Sequence, residues 1–464
     1  MSEELKNTWL KLFEKAPETL EKISNVETAV TAFNTNVDAV LKITGKKLAE
    51  LVNNAGLSLS DLQNIKQTKL LEPNDVLKGI FKSFKNGIAE EWLSEEKSVY
   101  EWMRENLSFD RLQMGGQGGI VANVLGILGV QKVIAHTNSL PREQAEQFLK
   151  WDNIVSFDEQ GIERPAYTIN RVKDVPMIHW IIEFDKDDEV IIDGQKFVCP
   201  KSNRFIATYD PLNLRLVIDK HFLEAVTEQK ADYVILSGMH ALTANNDGVT
   251  LVEKVLPIIN TWHTHGAVVH LEIASTQDLE VRRAIVQKLA TNCDSIGINE
   301  RELIDILEVI GESKLAKLCS EDCHAENLFR ALLRIKEVLK TPRIQLHFFG
   351  LYLTVQNKSF RITPEQNRNG MILAATVAAG KAGTGDINHE NHLLWALGQK
   401  VSDIGLKELQ TISDIIEDKN LLKTGLTQYA GFDIIAVPTI LVEKPITLVG
   451  MGDTISSVSI VGAR

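Results

Sequence analysis

The stretch Val449-Gly450-Met451-Gly452-Asp453-Thr454, close to the end of the chain, sets two glycines beside a carboxylate where an extended run over 445–448 gives way to a helix. Glycine lets backbone approach a phosphate, and the free N–H groups of a helix's first turn present partial positive charge to it. An aspartate in that turn can accept a proton from a substrate hydroxyl while the amides stabilise a transferring phosphoryl group. The same Gly-x-Gly-Asp would also serve as an ordinary N-cap. Other polar groups along the chain bear on the choice.

Asn36 and Asp38 follow the β-rich run 28–33. The carboxyl end of a buried parallel strand is where open α/β sheets hold ligands, so both are candidates for grasping hydroxyls, with an Asx-turn as the alternative. The loop Met114-Gly115-Gly116-Gln117-Gly118-Gly119 lacks the spacing of a dinucleotide fingerprint, because Val121 stands where Gly or Ala is needed. Its glycines let amides approach a polyhydroxylated ligand. In His270-Leu271-Glu272 one strand face bears both ionisable side chains, and a glutamate there is costly without a cation or partner. Asn299 and Glu302 match a capping box. Glu272 and Glu302 together are candidates to hold Mg²⁺ through its waters. Glu90 and Glu91 close a helical pattern and read as a solvated face. Cys319, Cys323 and His324 lack a fourth metal ligand nearby.

The elements that must position these groups alternate. Helical spacing over 4–25 leads to the strand 28–33, and the pattern from 46 to 102 is helical. Between 166 and 218 short alternating strands with an Asp193-Gly194 hairpin turn form a β-rich insertion. Strands at 233–236, 268–273 and 344–348 then alternate with helices at 248–259, 279–289 and 326–339, which describes one doubly wound α/β sheet carrying a lid. Charge −12 and pI near 5.5 argue against a nucleic-acid or anionic-membrane surface. No stretch is long and apolar enough to cross a bilayer, and the N-terminus has no apolar signal core, so the expected location is cytoplasmic.

Asn34-Thr35-Asn36-Val37-Asp38, the 115–123 loop, His270-x-Glu272, Asn299-x-x-Glu302 and Gly450-Met451-Gly452-Asp453, in that order, closely resemble the ADP-dependent sugar kinases of archaea, glucokinases and phosphofructokinases of the ribokinase superfamily. The resemblance spans nearly the whole chain. It implies a ribokinase-like large domain (1–38, 113–165 and 218–464), a smaller lid domain (39–112 and 166–217), and transfer of the β-phosphate of Mg·ADP to a sugar hydroxyl, leaving AMP.

By the same resemblance, Asp453 is the base and Gly450 and Gly452 the anion hole. Glu272, Asn299 and Glu302 belong to the metal-and-water network, with Asp453 as a further metal neighbour. Asn36, Asp38, Gly116, Gln117 and His179 face the sugar, and Arg204 clamps phosphate as the lid closes. His347, Tyr352 and Ile440 are expected near adenine. A phosphofructokinase needs extra cations for its second phosphate, which Lys173 with Arg204 or Arg171 would supply. A glucokinase of this family uses a lid glutamate, for which Glu90 or Glu91 stands in the right region, and Glu90 is the candidate carried forward. Fructose 6-phosphate is the expected acceptor, with glucose or both sugars as the alternative and a non-catalytic sensor behind them. Partners are expected to be small molecules alone, in a monomer or dimer.

Overall fold

The computed structural model describes residues 2–66, 68–447 and 449–464. Two mixed sheets organise it, one of 11 strands and one of 5, with a separate hairpin formed by Glu189–Ile192 and Gln195–Val198. The large sheet has parallel strands at its centre, among them Thr28–Ala32, Lys132–Ala135, Tyr233–Leu236, Val268–Glu272, Ser295–Ile298 and Arg343–Phe348. Antiparallel strands Leu351–Asn357 and Phe432–Pro438 extend one side. Every residue of Tyr233–Leu236, Val268–Glu272 and Arg343–Phe348 is buried, so helices must cover both faces of the sheet. The doubly wound body with a smaller lid is the architecture expected.

The 5-stranded sheet is the lid. It joins Glu90–Ser94, Asn203–Tyr209, Ile178–Phe184, Asn36–Lys42 and Arg111–Gly115. Its inner face, with Val37, Ala39, Trp180, Ile182, Phe205 and Trp92, closes a second core separate from that of the body. Helix Pro73–Asn86 buries Val76, Leu77, Ile80, Phe81 and Phe84 against it. Apolar residues at i, i+4 and i+8 on that helix supply the stripe.

Several boundaries move. The division expected at 38/39 falls inside strand Asn36–Lys42, because Val37 already belongs to the lid core. The helical region expected over 46–102 is interrupted: Gly87, at φ 63, ends helix Pro73–Asn86 in the left-handed conformation, so Glu90 and Glu91 open a strand instead of closing a helix. The first helical segment is two helices, Glu3–Phe13 and Ala16–Ile23. Among the described residues of the run 445–448 there is no strand, and Leu448 lies outside the described residues.

Candidate active site

Strand alternation decides which lid residues face the body. Asp38 lies directly beside His179, and His179 beside Thr208. Two residues along, Ile181 pairs with Ile206 and Ile206 with Glu91. Because side chains repeat every two residues, Asp38, His179, Glu91 and Arg204 project from one face while Trp92, Trp180 and Phe205 fill the lid core on the other. That outer face and the end of helix Met451–Val461 border a cavity of about 200 Å³ lined by Asn34, Asn36, Asp38, Glu91, Gly116, Gln117, His179, Arg204, His240, Gly450 and Asp453.

Asp453 sits in the first turn of Met451–Val461, buried, with one carboxylate oxygen lacking any hydrogen-bond partner. Burial raises its pKa to about 6, against the pull of the Lys381 ammonium and a Gln117 hydrogen bond. Gly450 precedes the helix at φ 63. A Cβ there would come within 2.9 Å of Ile120 and 3.1 Å of Lys381 Nζ, so both conformation and space call for glycine. Gly116 caps helix Gln117–Ile127 at φ 71, and a Cβ would lie 2.6 Å from Asn36 Oδ1. Gln117 accepts from the Gly238 amide at 2.9 Å, which turns its side chain across the cavity floor.

On the lid side of the cavity, Asn36 donates to Asp38 at 3.1 Å, leaving Asn36 Oδ1 unpartnered and buried. Burial pushes Asp38 up to about 6, against His179 and Asn36. His179 meets Asp210 at 3.1 Å. Burial lowers its pKa, but the Asp210 hydrogen bond and charge overcome this and leave it raised. Glu91 accepts from Thr208 at 2.7 Å.

Beneath the helix end lies a carboxylate group. Glu272 contacts Ser456 Oγ and His347 Nε2, the latter at 3.5 Å. Burial and then the charges of Asp453 and Glu302 hold its pKa well above the usual range. Burial also drives Glu302 to about 8. Asn299 caps helix Glu300–Val309, accepting from the Arg301 and Glu302 amides, while Glu302 accepts from the Asn299 N–H at 2.6 Å. The capping box is therefore present, and its Glu302 lies within charge range of Glu272 and Asp453. Among the described residues, no group of three or more His, Cys, Asp or Glu is close enough to coordinate a metal directly.

Other expected residues lie outside the described cavity lining. Glu90 turns to the lid core, paired with Lys82 at 2.6 Å and accepting from Trp92 Nε1 at 3.0 Å. Its neighbour Glu91 is the residue in the cavity. Lys173 is exposed in a turn and is absent from the described cavity lining, while Arg171 is committed to the Phe157 and Thr137 carbonyls and to Asp219. Tyr352 and Ile440 are buried in the body core, Tyr352 paired with His347 across the sheet. His347 is buried, held down to about 4, and faces Glu272. Residues not singled out include Lys381, a buried cation that follows the apolar stretch of helix Pro364–Thr384, and His240. Both had a signal in the sequence: a charge directly after the apolar run 370–380, and a histidine after a buried strand.

The chain matches the model of the ADP-specific phosphofructokinase/glucokinase conserved region over residues 27–462. It is 29% identical to an ADP-specific phosphofructokinase of Methanosarcina acetivorans, covering 94% of this chain and 93% of that one. It is 31% identical to an ADP-dependent glucose/glucosamine kinase of Pyrococcus abyssi, covering 97% of each. The last common ancestor of ADP-dependent phosphofructokinases from Methanosarcinales superimposes with TM-score 0.87 at 28% identity, over 98% of both chains. An ADP-dependent kinase in complex with fructose-6-phosphate and ADPβS gives 0.82 at 27% identity, over 98% of this chain and 97% of that one.

Proposed function

The chain belongs to the ADP-specific phosphofructokinase/glucokinase family, and from that premise we propose that it transfers the β-phosphoryl group of ADP to the 1-hydroxyl of fructose 6-phosphate, yielding fructose 1,6-bisphosphate and AMP. The observation that carries this reading is that Asp453, from the body, and Arg204, from the lid, open on one cavity. A carboxylate poised near pH 6 accepts the hydroxyl proton as the oxygen attacks phosphorus. The amides following Gly450 face the charge on the transferred group. Asn36, Asp38, Gly116, Gln117 and His179 orient the sugar, and Arg204 with His179 supplies positive charge for its phosphate when the lid shuts out water.

A hydrated Mg²⁺ fits the residues present. The charges of Asp453 and Glu302 raise the pKa of Glu272, Asp453 also raises that of Glu302, and Asp453 keeps an unpartnered buried oxygen. These three would hold the ion through its waters, and neutralising the diphosphate is the chemistry such an ion supplies when bound.

Glu91 supports a second reading. A carboxylate on the lid face accepts hydroxyl hydrogen bonds and repels a phosphate, which favours glucose as an additional acceptor. The test is AMP release with Mg²⁺, offering ADP or ATP against fructose 6-phosphate and glucose. ADP with fructose 6-phosphate supports the main reading, and turnover of both sugars makes the enzyme bifunctional. ATP alone, or no turnover with either donor, would overturn it.

A further inference from the structure

His270, Ser295 and Arg343 stand side by side on three neighbouring parallel strands, His270 opposite Ser295 and Ser295 opposite Arg343. All three are fully buried. Arg343 is unusual: its hydrogen-bond partners are Ser295, Gln345, Asn367 and Ser459, all neutral, and its Nε has none. An unpaired guanidinium in a core is expensive. Its position suggests why it is there. One nitrogen reaches Ser459, on the helix that carries Asp453, and another reaches Ser295, the neighbour of His270.

The donor and acceptor roles in this row follow from chemistry. A guanidinium only donates, so at 2.9 Å Ser295 Oγ accepts from Arg343. The Ser295 hydroxyl hydrogen is then free to donate, and His270 Nδ1 lies 2.9 Å away. A nitrogen that accepts carries no proton. Among the described residues Ser295 has no other acceptor for that hydrogen, so Nδ1 accepts it, and an imidazole that accepts at Nδ1 carries its single proton on Nε2. That nitrogen has no hydrogen-bond partner and lies 3.8 Å from Glu272 Oε2. Glu272 is held on its other flank by Ser456, again from the Asp453 helix.

We propose that Arg343, acting through Ser295, fixes His270 in the Nε2–H tautomer facing Glu272, and is thereby a positioning residue of the phosphoryl-transfer site. Reversing the tautomer would turn a lone pair toward Glu272 and drive the carboxylate away. Placing Glu272 in that site rests on the proposed function, but the tautomer itself does not.

The test uses the full-length, ligand-free protein. Long-range ¹⁵N–¹H NMR of the imidazoles, with His270 assigned by its loss in His270→Gln, should show Nε2–H in the parent. Ser295→Ala and Arg343→Met should each populate Nδ1–H, and Ser295→Thr, which keeps the hydroxyl, should restore Nε2–H. Should Arg343→Met fail to fold, the Ser295→Ala and Ser295→Thr pair decides. In turnover, Ser295→Ala should lower kcat about tenfold, the scale of lost second-sphere contacts, with KM for the sugar within about twofold. An Nδ1–H tautomer in the parent would overturn the proposal. So would an Nε2–H tautomer that survives Ser295→Ala. Loss of ADP-dependent turnover in the parent would count against the proposed function and leave the NMR outcome to judge this inference.

Discussion

Thr208 donates to Glu91 at 2.7 Å across two parallel lid strands, which fixes the Glu91 carboxylate over the cavity. Glu90, one residue earlier, points through the sheet to Lys82. Adjacent strand residues face opposite ways, so one glutamate faces the cavity and the other the lid core.

If Glu91 holds a hydroxyl of glucose, Glu91→Ala should cut kcat/KM for glucose by about 10- to 100-fold, the range for a hydrogen bond to a charged group. Turnover of fructose 6-phosphate should stay within about threefold. Glu90→Ala should leave both sugars within threefold and lower the midpoint of thermal unfolding instead. Equal losses on both sugars for Glu91→Ala would remove its role in discrimination.

Asp453→Asn keeps the helix N-terminus and the Gly450 turn but cannot take a proton. Its kcat should fall by about 10²- to 10⁴-fold, while calorimetric affinities for ADP and fructose 6-phosphate remain within about threefold. Near-normal turnover would exclude Asp453 as the base.

Asp38, which lines the cavity, is also a stability liability. Its folded pKa of about 6 exceeds the ordinary 3.8, so between those values the native state binds the proton more tightly than the unfolded chain. Stability therefore falls as pH rises from about 4 through 6, by about 3 kcal/mol at most if each unit is worth ~1.4 kcal/mol. Asp38→Asn should raise the urea midpoint of the ligand-free protein at pH 7, make no difference below about pH 4, and weaken sugar binding. A gain that is the same at both values would rule out titration as its cause.

Much of this was legible from sequence because buried parallel strands are near-continuous apolar runs. Tyr233–Leu236 stands out in that way, and its polar successors mark the sheet's ligand-bearing edge. The glutamates were not legible to the residue, since a one-position shift reverses the face and only the Gly87 stop reveals where the strand begins. The Arg343 row was hidden for a different reason. His270, Ser295 and Arg343 are far apart in the chain and meet only through strand register. The adenine candidates Tyr352 and Ile440 were hard to read because the apolar surroundings of a binding slot and of a core look alike in sequence, and both residues are buried.

Lys381 offers the last prediction. Its ammonium is buried, 3.4 Å from both the Gly450 carbonyl and Thr454 Oγ1, and its charge is the largest influence holding Asp453 below the pKa that burial alone would impose. Removing the charge should raise the Asp453 pKa, so a smaller fraction of the base is ionised at any pH near 6. The acid limb of kcat/KM in Lys381→Met should move upward by about one unit, with activity recovering toward the parent's above pH 8, while Lys381→Arg keeps the parent profile. A loss of the same size at every pH would mean that Lys381 serves the Gly450 turn, because distortion of the anion hole lowers turnover without changing when the base ionises.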